Sequence, residues 1–334
     1  MTTTSQSPKL ATARLRYTPE TQLYDLSFKA MGTLCRILFQ ASDNEHASVF
    51  AQSAYQWVSH FESKYSRFLP HSLISQINAS AGRSAVALDR EASQLLDLAG
   101  AIASSTNGLI DATSLPLIRL WDYHLKDRKP PTESQIEQAR ELVGWDKVNK
   151  WSDAIELTVP GMALDLGGFG KEWAVDRVAE LAVAHGIRNG LVDFGRDIRV
   201  LGTPPNRPAW HVAIEDPNTP QIPYASLAAT DMAIATSNNS IRKFTYQGKQ
   251  YGHIIDPRTG RPADTRTRSA TVIAASALQA GLLATQSMML SPEAAFERIE
   301  EDFGSEGILL LPNKEMITSG AYQTLVFDPN QTQP

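Results

Sequence analysis

The densest group of residues with chemical potential is Asp165-Leu-Gly-Gly-Phe-Gly-Lys171. Glycines directly before a helix let backbone N–H groups and the positive helix end approach a phosphate closely. A P-loop is excluded because Asp165 replaces its first glycine and Glu172 replaces the Ser or Thr that follows its lysine. A dinucleotide-binding fingerprint is excluded because Trp173 replaces its third glycine. Taken alone, the motif is equally compatible with a glycine-rich helix start that binds no ligand.

Three further polar clusters stand at the ends of expected strands: 193–197, 235–237 and 251–257. Ligand sites gather at such strand ends, since buried polar groups need partners. Two of these motifs also have an interpretation that involves no ligand. His253 is then a histidine that bonds only to nearby backbone, and Asp256-Pro257 is a simple turn. No zinc spacing and no G-x-S-x-G elbow occurs. The residues by themselves indicate an anionic-ligand site built from glycine-rich strand-to-helix turns.

The elements that must position these residues are short strands and helices without a regular βα rhythm. Period-2 alternation over 22–40 predicts two strands, or one strand bent at Gly32. Apolar spacing and cap residues predict helices over 47–65, 91–105, from 170 to about 185, over 278–290 and from 292 onward. Further strands are expected at 191–193, 198–200, 210–214, 271–275, 308–311 and 324–327, with a hairpin at 247–248. This pattern predicts an α/β-type mixed (α+β) fold in which both halves contribute to one site.

Composition narrows the classes of function. The 334 residues are 42% hydrophobic and 20% charged, which is typical of one large globular domain or two intimate ones. The net charge of -5 argues against nucleic-acid binding. The single Cys35 excludes an internal disulfide and a cysteine-rich zinc module. No apolar run reaches the roughly 20 residues of a membrane span. Residues 1–23 lack the apolar core of a secretory signal, so we expect a cytoplasmic protein.

Eight short motifs follow one another along the chain. They are Ala30-Met-Gly-Thr33, Glu62 and Tyr65-Ser-Arg-Phe68 with Ser75-Gln-Ile-Asn78, Leu109-Ile-Asp-Ala-Thr113 with Pro116-Leu117 and Trp121, Asp165-Leu-Gly-Gly168 with Lys171 and Asp176, Asp193–Asp197, Ile234-Ala-Thr-Ser237, His253-Ile-Ile-Asp-Pro257 with Thr259-Gly260, and Ala284-Thr285. Each motif alone is weak. In this order, from about Phe28 to Thr285, they resemble the FAD:protein FMN transferase family, the ApbE-like flavin transferases.

The resemblance implies an ApbE-like flavin transferase fold: mixed sheets with flanking helices and a ligand site between two lobes. Residues 23–328 would form this single domain, after a flexible segment at 1–22 and before a tail at 329–334. Family members bind FAD, and a threonine or serine hydroxyl of an acceptor attacks its FMN-side phosphorus, which releases AMP. The positions that match the family's FAD contacts are Met31, Phe68, Leu109, Asp111, Asp165, Lys171, His253 and Ile255.

Catalytic roles are expected for His253 and Asp165. Histidine titrates near working pH, which suits His253 to act as a general base or to contact a phosphate. An orienting hydrogen bond is the alternative for His253.

The expected magnesium site departs from the family pattern. The family's Ala-Asp-Ala-Leu-Ala-Thr segment reads Ala280-Gly281-Leu-Leu-Ala-Thr285 here, so Gly281 replaces a carboxylate ligand. Thr285 and the backbone carbonyl of Gly168 would remain as ligands, and we expect weakened magnesium binding. Arg196 stands where a second glycine is usual, and its charge could partly substitute for the cation near the phosphates.

Acceptors of the family carry the motif Asp-x-x-Ser/Thr-Gly/Ser-Ala-Thr. The nearest stretch here, 264–271, has Arg268 where Ser or Thr belongs, so the acceptor flavoprotein should be another chain. A catalytically impaired FAD-binding relative, motivated by Gly281, and an FAD pyrophosphatase remain alternatives. A purely structural protein would leave the ordered polar motifs unexplained.

Overall fold

The computed structural model describes residues 13–122, 129–216, 219–239, 242–263 and 266–320. Its helices are α1 Asn44–Tyr65, α2 Leu73–Ala79, α3 Arg90–Ser105, α4 Leu115–Leu120, α5 Glu133–Arg140, α6 Gly170–Ala184, α7 Ala277–Ser287 and α8 Pro292–Glu300, with a 3-10 helix at Trp145–Lys147.

Its strands are β1 Arg14–Thr18, β2 Leu23–Ala30, β3 Thr33–Phe39, β4 Val86–Ala87, β5 Val148–Lys150, β6 Ala154–Leu157, β7 Gly190–Phe194, β8 Asp197–Leu201, β9 Trp210–Asp216, β10 Thr219–Ala229, β11 Ala233–Asn238, β12 Lys243–Tyr246, β13 Lys249–Gly252, β14 Ile255–Asp256, β15 Arg261–Pro262, β16 Ser269–Ala274, β17 Glu306–Leu310 and β18 Met316–Thr318.

The central sheet is antiparallel, with the strand order β1-β2-β3-β7-β8-β11-β16-β17-β18. Successive residues of its middle strands lie on opposite faces, and each face packs against an apolar layer. Ile234 and Ile273 pack with Trp210 of the β9–β10 ribbon on one face. Ala235 and Val272 pack with α7 and α8 on the other. Both faces of these strands are therefore covered, as the runs of buried residues in β11 and β16 indicate.

Two tight turns at the same end of the sheet need left-handed backbone. Met31 and Gly32 join β2 to β3 with φ values of 51° and 69°, and Gly195 and Arg196 join β7 to β8 with 66° and 79°. Positive φ at both central residues matches the twist of a hairpin. A Cβ at residue 195 would lie 2.4 Å from Thr33 Oγ1, so glycine is required there by contact as well as by φ. These contacts place the Met31 turn beside the Asp193–Asp197 turn.

The mixed α+β class is confirmed. Helices α1, α3, α6 and α7 begin and end close to the predicted bounds, and α8 begins at the predicted Pro292. The predicted hairpin at 247–248 joins β12 to β13. Strand β1 pairs with β2 inside the segment that we expected to be flexible, so the sheet begins before residue 23. The expected strand at 324–327 lies outside the described residues. None of the described helices combines the length and apolar character that crossing a membrane requires.

A buried carboxylate fixes α7 against α6. Asp176 of α6 accepts hydrogen bonds from the backbone N–H groups of Ala277 and Leu278, each at 2.9 Å. Arg199 of β8 donates to the same carboxylate at 2.9 Å. Asp176 thus satisfies the first N–H groups of α7 with a negative charge where the helix end is positive. The side chain joins two helices and the central sheet at one point.

We expect Asp176→Ala to lower the free energy of unfolding by about 3 kcal/mol, because it leaves the partly buried Arg199 and two helix N–H groups without their acceptor. Asp25→Ala is the matched control, since Asp25 pairs with Arg36 at the surface, where an ion pair contributes under about 1 kcal/mol. Urea unfolding of both variants measures the difference. Equal losses would contradict the anchoring role of Asp176.

Candidate functional site

The glycine-rich loop before α6 is held by Asp165. Asp165 Oδ2 accepts from Arg67 Nε at 2.9 Å, and Oδ1 accepts from the N–H of Gly167 at 3.0 Å. The backbone N–H of Asp165 donates to the carbonyl of Ala112 at 2.8 Å, which brings the loop against the 109–113 segment. Both carboxylate oxygens are engaged, so Asp165 serves to orient this loop.

An exposed aromatic ring lies beside this loop. Phe68 is 75% exposed, and the Arg67 guanidinium lies 4.1 Å from its ring centroid. A phenyl ring left in water next to a fixed arginine offers a stacking surface for a planar ligand.

The other predicted contact positions from the first half of the chain are more enclosed. Asp111 accepts from Thr113 through Oδ1 and from the N–H of Trp145 through Oδ2, so its carboxylate shapes a turn. Leu109 is buried in the main core. The N–H of Met31 donates to Glu62 Oε1 at 2.6 Å. The contacts of these three residues therefore hold a turn, the main core and the start of the Met31 turn in place.

Lys171 lies in the first turn of α6 and forms an ion pair with Asp197 of β8. Its Nζ is also 3.9 Å from Glu172 Oε1. Burial lowers the pKa of Lys171, while the charges of Glu172 and Asp193 oppose that shift. The pair joins the helix start to the β7–β8 turn and places a cation at the positive end of α6.

His253 directly follows β13, and Arg242 directly precedes β12, the strand that pairs with β13. Burial, together with the charge of Arg242, lowers the pKa of His253 to about 4. The charge of Arg242 also lowers the pKa of Lys171. Ile255, two residues on, is buried against Trp121, whose Nε1 donates to the carbonyl of Gly260 at 2.7 Å. His253 is therefore neutral at physiological pH.

Hydroxyl groups line the junction of α7 and β11. The Oγ1 of Thr285 is 3.0 Å from the Oγ of Ser237, and the hydroxyls of Thr236 and Thr271 are 2.9 Å apart. Gly168, the other expected magnesium ligand, lies in the loop before α6.

Glu172 is a site residue that the sequence patterns did not single out. A Cβ added to Gly281 would lie 2.4 Å from Glu172 Cγ, so the glutamate fills the space beside that glycine. Its signal in the sequence is weak: Glu172 precedes the buried Asp176 by four residues and Ala179 by seven, which is the spacing of one helix face.

Arg196, which we expect to substitute partly for the cation, lies against a carboxylate of the chain itself. Its guanidinium pairs with Glu215 of β9, and its N–H donates to Asp193 Oδ1 at 2.7 Å. The arginine charge is therefore already compensated by a carboxylate. Its φ of 79° also explains why glycine is usual at this position.

The fold is that of an α+β protein in which the glycine-rich start of α6 meets the β7–β8 turn. The chain belongs to the ApbE family, whose model matches residues 31–309.

Named relatives and a solved structure agree with this assignment. The FAD:protein FMN transferase of Vibrio cholerae is 34% identical over 56% of this chain and 57% of its own length. The enzyme of that name from Treponema pallidum is 28% identical over 89% and 86% of the two chains. The crystal structure of the ApbE protein from Thermotoga maritima, 26% identical, superposes with a TM-score of 0.84 over 92% of this chain and all of that one.

The lowered pKa of His253 has a consequence for stability. The unfolded chain binds a proton at His253 near the ordinary pKa of 6.5, whereas the folded chain does so only near 4. Because the unfolded state holds more protons between these values, stability falls as pH falls from 6.5 to 4. We expect His253→Gln to lose less stability than wild type between pH 6.5 and pH 4, as measured by urea unfolding. His60→Gln, at an exposed histidine, is the control, and its stability should depend on pH as that of wild type does. The same dependence on pH in His253→Gln would contradict the burial of the His253 imidazole.

Proposed function

We propose that the chain is an FAD:protein FMN transferase, which moves FMN from FAD to a threonine or serine hydroxyl of an acceptor protein and releases AMP. Membership of the ApbE family and the names of its relatives support this activity. The structural observation that carries it is the half-buried Lys171 at the glycine-rich start of α6. A lysine and helix N–H groups at one point form a receptor for phosphate oxygens.

FAD would lie along the surfaces already described. Phe68 would stack on a flat ring of the substrate, and Lys171 would contact its phosphates. The other residues proposed to contact FAD are Met31, Leu109, Asp111, Asp165, His253 and Ile255.

The transfer step breaks the phosphoanhydride bond of FAD and forms a phosphoester bond to the acceptor. The acceptor hydroxyl oxygen bonds to the FMN-side phosphorus, and the bond from that phosphorus to the bridging oxygen breaks, so AMP leaves with the bridging oxygen. The neutral imidazole of His253 would take the hydroxyl proton. Lys171 would offset the negative charge that develops on the phosphate oxygens. For Asp165, whose oxygens bind Arg67 and Gly167, we propose that its part in catalysis is to position the loop.

Magnesium would be held by the Gly168 carbonyl and the Thr285 hydroxyl, and when bound it would neutralise charge on the phosphates. Among the described residues, no group of three or more His, Cys, Asp or Glu side chains could hold a metal ion. A few protein oxygens combined with substrate phosphates are a usual arrangement for magnesium. The oxygen donors present therefore fit a cation that binds together with FAD.

The acceptor would be a separate flavoprotein that carries the motif Asp-x-x-Ser/Thr-Gly/Ser-Ala-Thr. Thr271 is the threonine of the stretch in this chain that is most similar to that motif, and it lies in the middle of β16 with no exposed surface. Its hydroxyl bonds to that of Thr236. A residue in that position could not reach a phosphorus, which supports transfer to another chain.

Purified protein, incubated with FAD, magnesium and an acceptor that bears the motif, should give a fluorescent acceptor band in a denaturing gel and one AMP per label. The same acceptor with its threonine changed to valine should stay unlabelled. AMP release without label would instead indicate an FAD pyrophosphatase. Bound FAD with neither product would indicate a binding protein, and either outcome would overturn the proposal.

Lys171→Met should lower kcat/KM for labelling at least about 100-fold, because one fixed donor to a developing charge is worth about 3 kcal/mol. Lys29→Met, at an exposed lysine of β2, is the matched control and should keep wild-type activity. Thermal melts of both variants test whether the loss is a folding effect. Full activity in Lys171→Met would contradict its phosphate role.

A further inference from the structure

We propose that Glu172 supplies the carboxylate of a divalent-cation site between α6 and α7, with the Thr285 hydroxyl and the Gly168 carbonyl as its other protein ligands. The inference deepens the proposed function and rests on it, because the cation would serve the phosphates of the same site.

The first observation is a buried carboxylate oxygen that lacks a partner. Glu172 is only 8% exposed, and none of the residues that the structure describes donates a hydrogen bond to its Oε2. Its Oε1 is 3.9 Å from Lys171 Nζ, which Asp197 already engages. Burying a carboxylate without full compensation is costly, so such a group indicates a missing positive partner. A bound cation would satisfy it.

The second observation is the complementarity of Glu172 and Gly281. A Cβ at residue 281 would lie 2.4 Å from Glu172 Cγ, 3.2 Å from Cδ and 3.3 Å from Oε1. The glutamate therefore occupies the volume into which an aspartate side chain at 281 would project. A carboxylate is present at this junction, and it comes from α6 instead of α7.

The third observation is the register of the two helices. Asp176 binds the N–H groups of 277 and 278, while Glu172, one turn earlier in α6, lies beside Gly281, one turn later in α7. The helices are thus antiparallel here, and each turn advances about 5.4 Å. Gly168 lies one turn before Glu172, and Thr285 lies one turn after Gly281. The helical turn extends back to this loop, since the N–H of Gly170 donates to the carbonyl of Leu166 at 2.7 Å.

The donor chemistry suits a hard divalent cation. One carboxylate, one hydroxyl and one carbonyl are oxygen ligands of the kind that magnesium and manganese accept. Phosphate oxygens of FAD and water would complete the coordination. Because Lys171 pairs with Asp197, the charge left over at this junction is that of Glu172.

Manganese binding by the full chain tests the proposal. Free Mn2+ is measured by electron paramagnetic resonance in titrations with FAD present and no acceptor. We expect Glu172→Gln to raise the Kd for Mn2+ at least tenfold. Glu180→Gln is the matched control, since Glu180 lies on the same helix and pairs with Arg177 at the surface; it should leave the Kd unchanged. An unchanged Kd in folded Glu172→Gln would overturn the assignment.

A swap of the two positions gives a second, independent test. Glu172→Gly combined with Gly281→Asp should bind Mn2+ within about threefold of wild type, whereas Glu172→Gly alone should not. Gly281→Asp alone should lower Tm without tightening Mn2+ binding, because its side chain would collide with Glu172. If the swap binds no better than Glu172→Gly, the proposal fails, even where Glu172→Gln does not fold.

The two proposals fail in different ways. Mn2+ affinity needs no acceptor, so a chain that binds Mn2+ through Glu172 but labels no acceptor overturns only the transferase activity. A chain that labels the acceptor, with Mn2+ affinity insensitive to residue 172, overturns only the assignment of Glu172.

Discussion

The contact on which the rest of the site depends is the carboxylate of Asp176 at the start of α7. It binds two N–H groups of that helix and Arg199 of the central sheet. A buried ion pair combined with helix-end hydrogen bonds has a strict geometry. It sets α7 antiparallel to α6 and thereby decides which residues of the two helices meet. Glu172 lies beside Gly281 as a direct consequence.

Three buried carboxylates lie on or next to α6, and their surroundings differ. Asp176 has Arg199 and a helix end, and Asp197 has Lys171. Glu172 has only a distant lysine that another carboxylate holds. Since buried charges are stable only when they are compensated, this asymmetry is the basis of the proposed cation site. A cation there would act on the same phosphates that Lys171 and the helix start attract.

The residues that match the family motifs are of two kinds. Some hold turns and loops of the site in place, and others expose groups that a ligand can contact. Asp111 and Asp165 hold turns and loops through hydrogen bonds to their own neighbourhood. Phe68, by contrast, presents an exposed ring, and Lys171 presents its charge at a helix start. His253 stays neutral because it is buried near Arg242, so its imidazole carries no positive charge that would offset that of a phosphate.

The sequence by itself determined the mixed α+β class, the main helices, the hairpin at 247–248 and the family resemblance. These depend on local periodicity, on caps and on short motifs, all of which act over a few residues. Tertiary structure alone decided that β3 pairs with β7, that Arg196 meets Glu215, and that Glu172 fills the space beside Gly281. The physical reason is that packing joins residues such as 172 and 281, which are far apart in the chain and carry no shared local signal. A glycine that looked like a lost ligand is, in the folded chain, the space for a glutamate from the neighbouring helix.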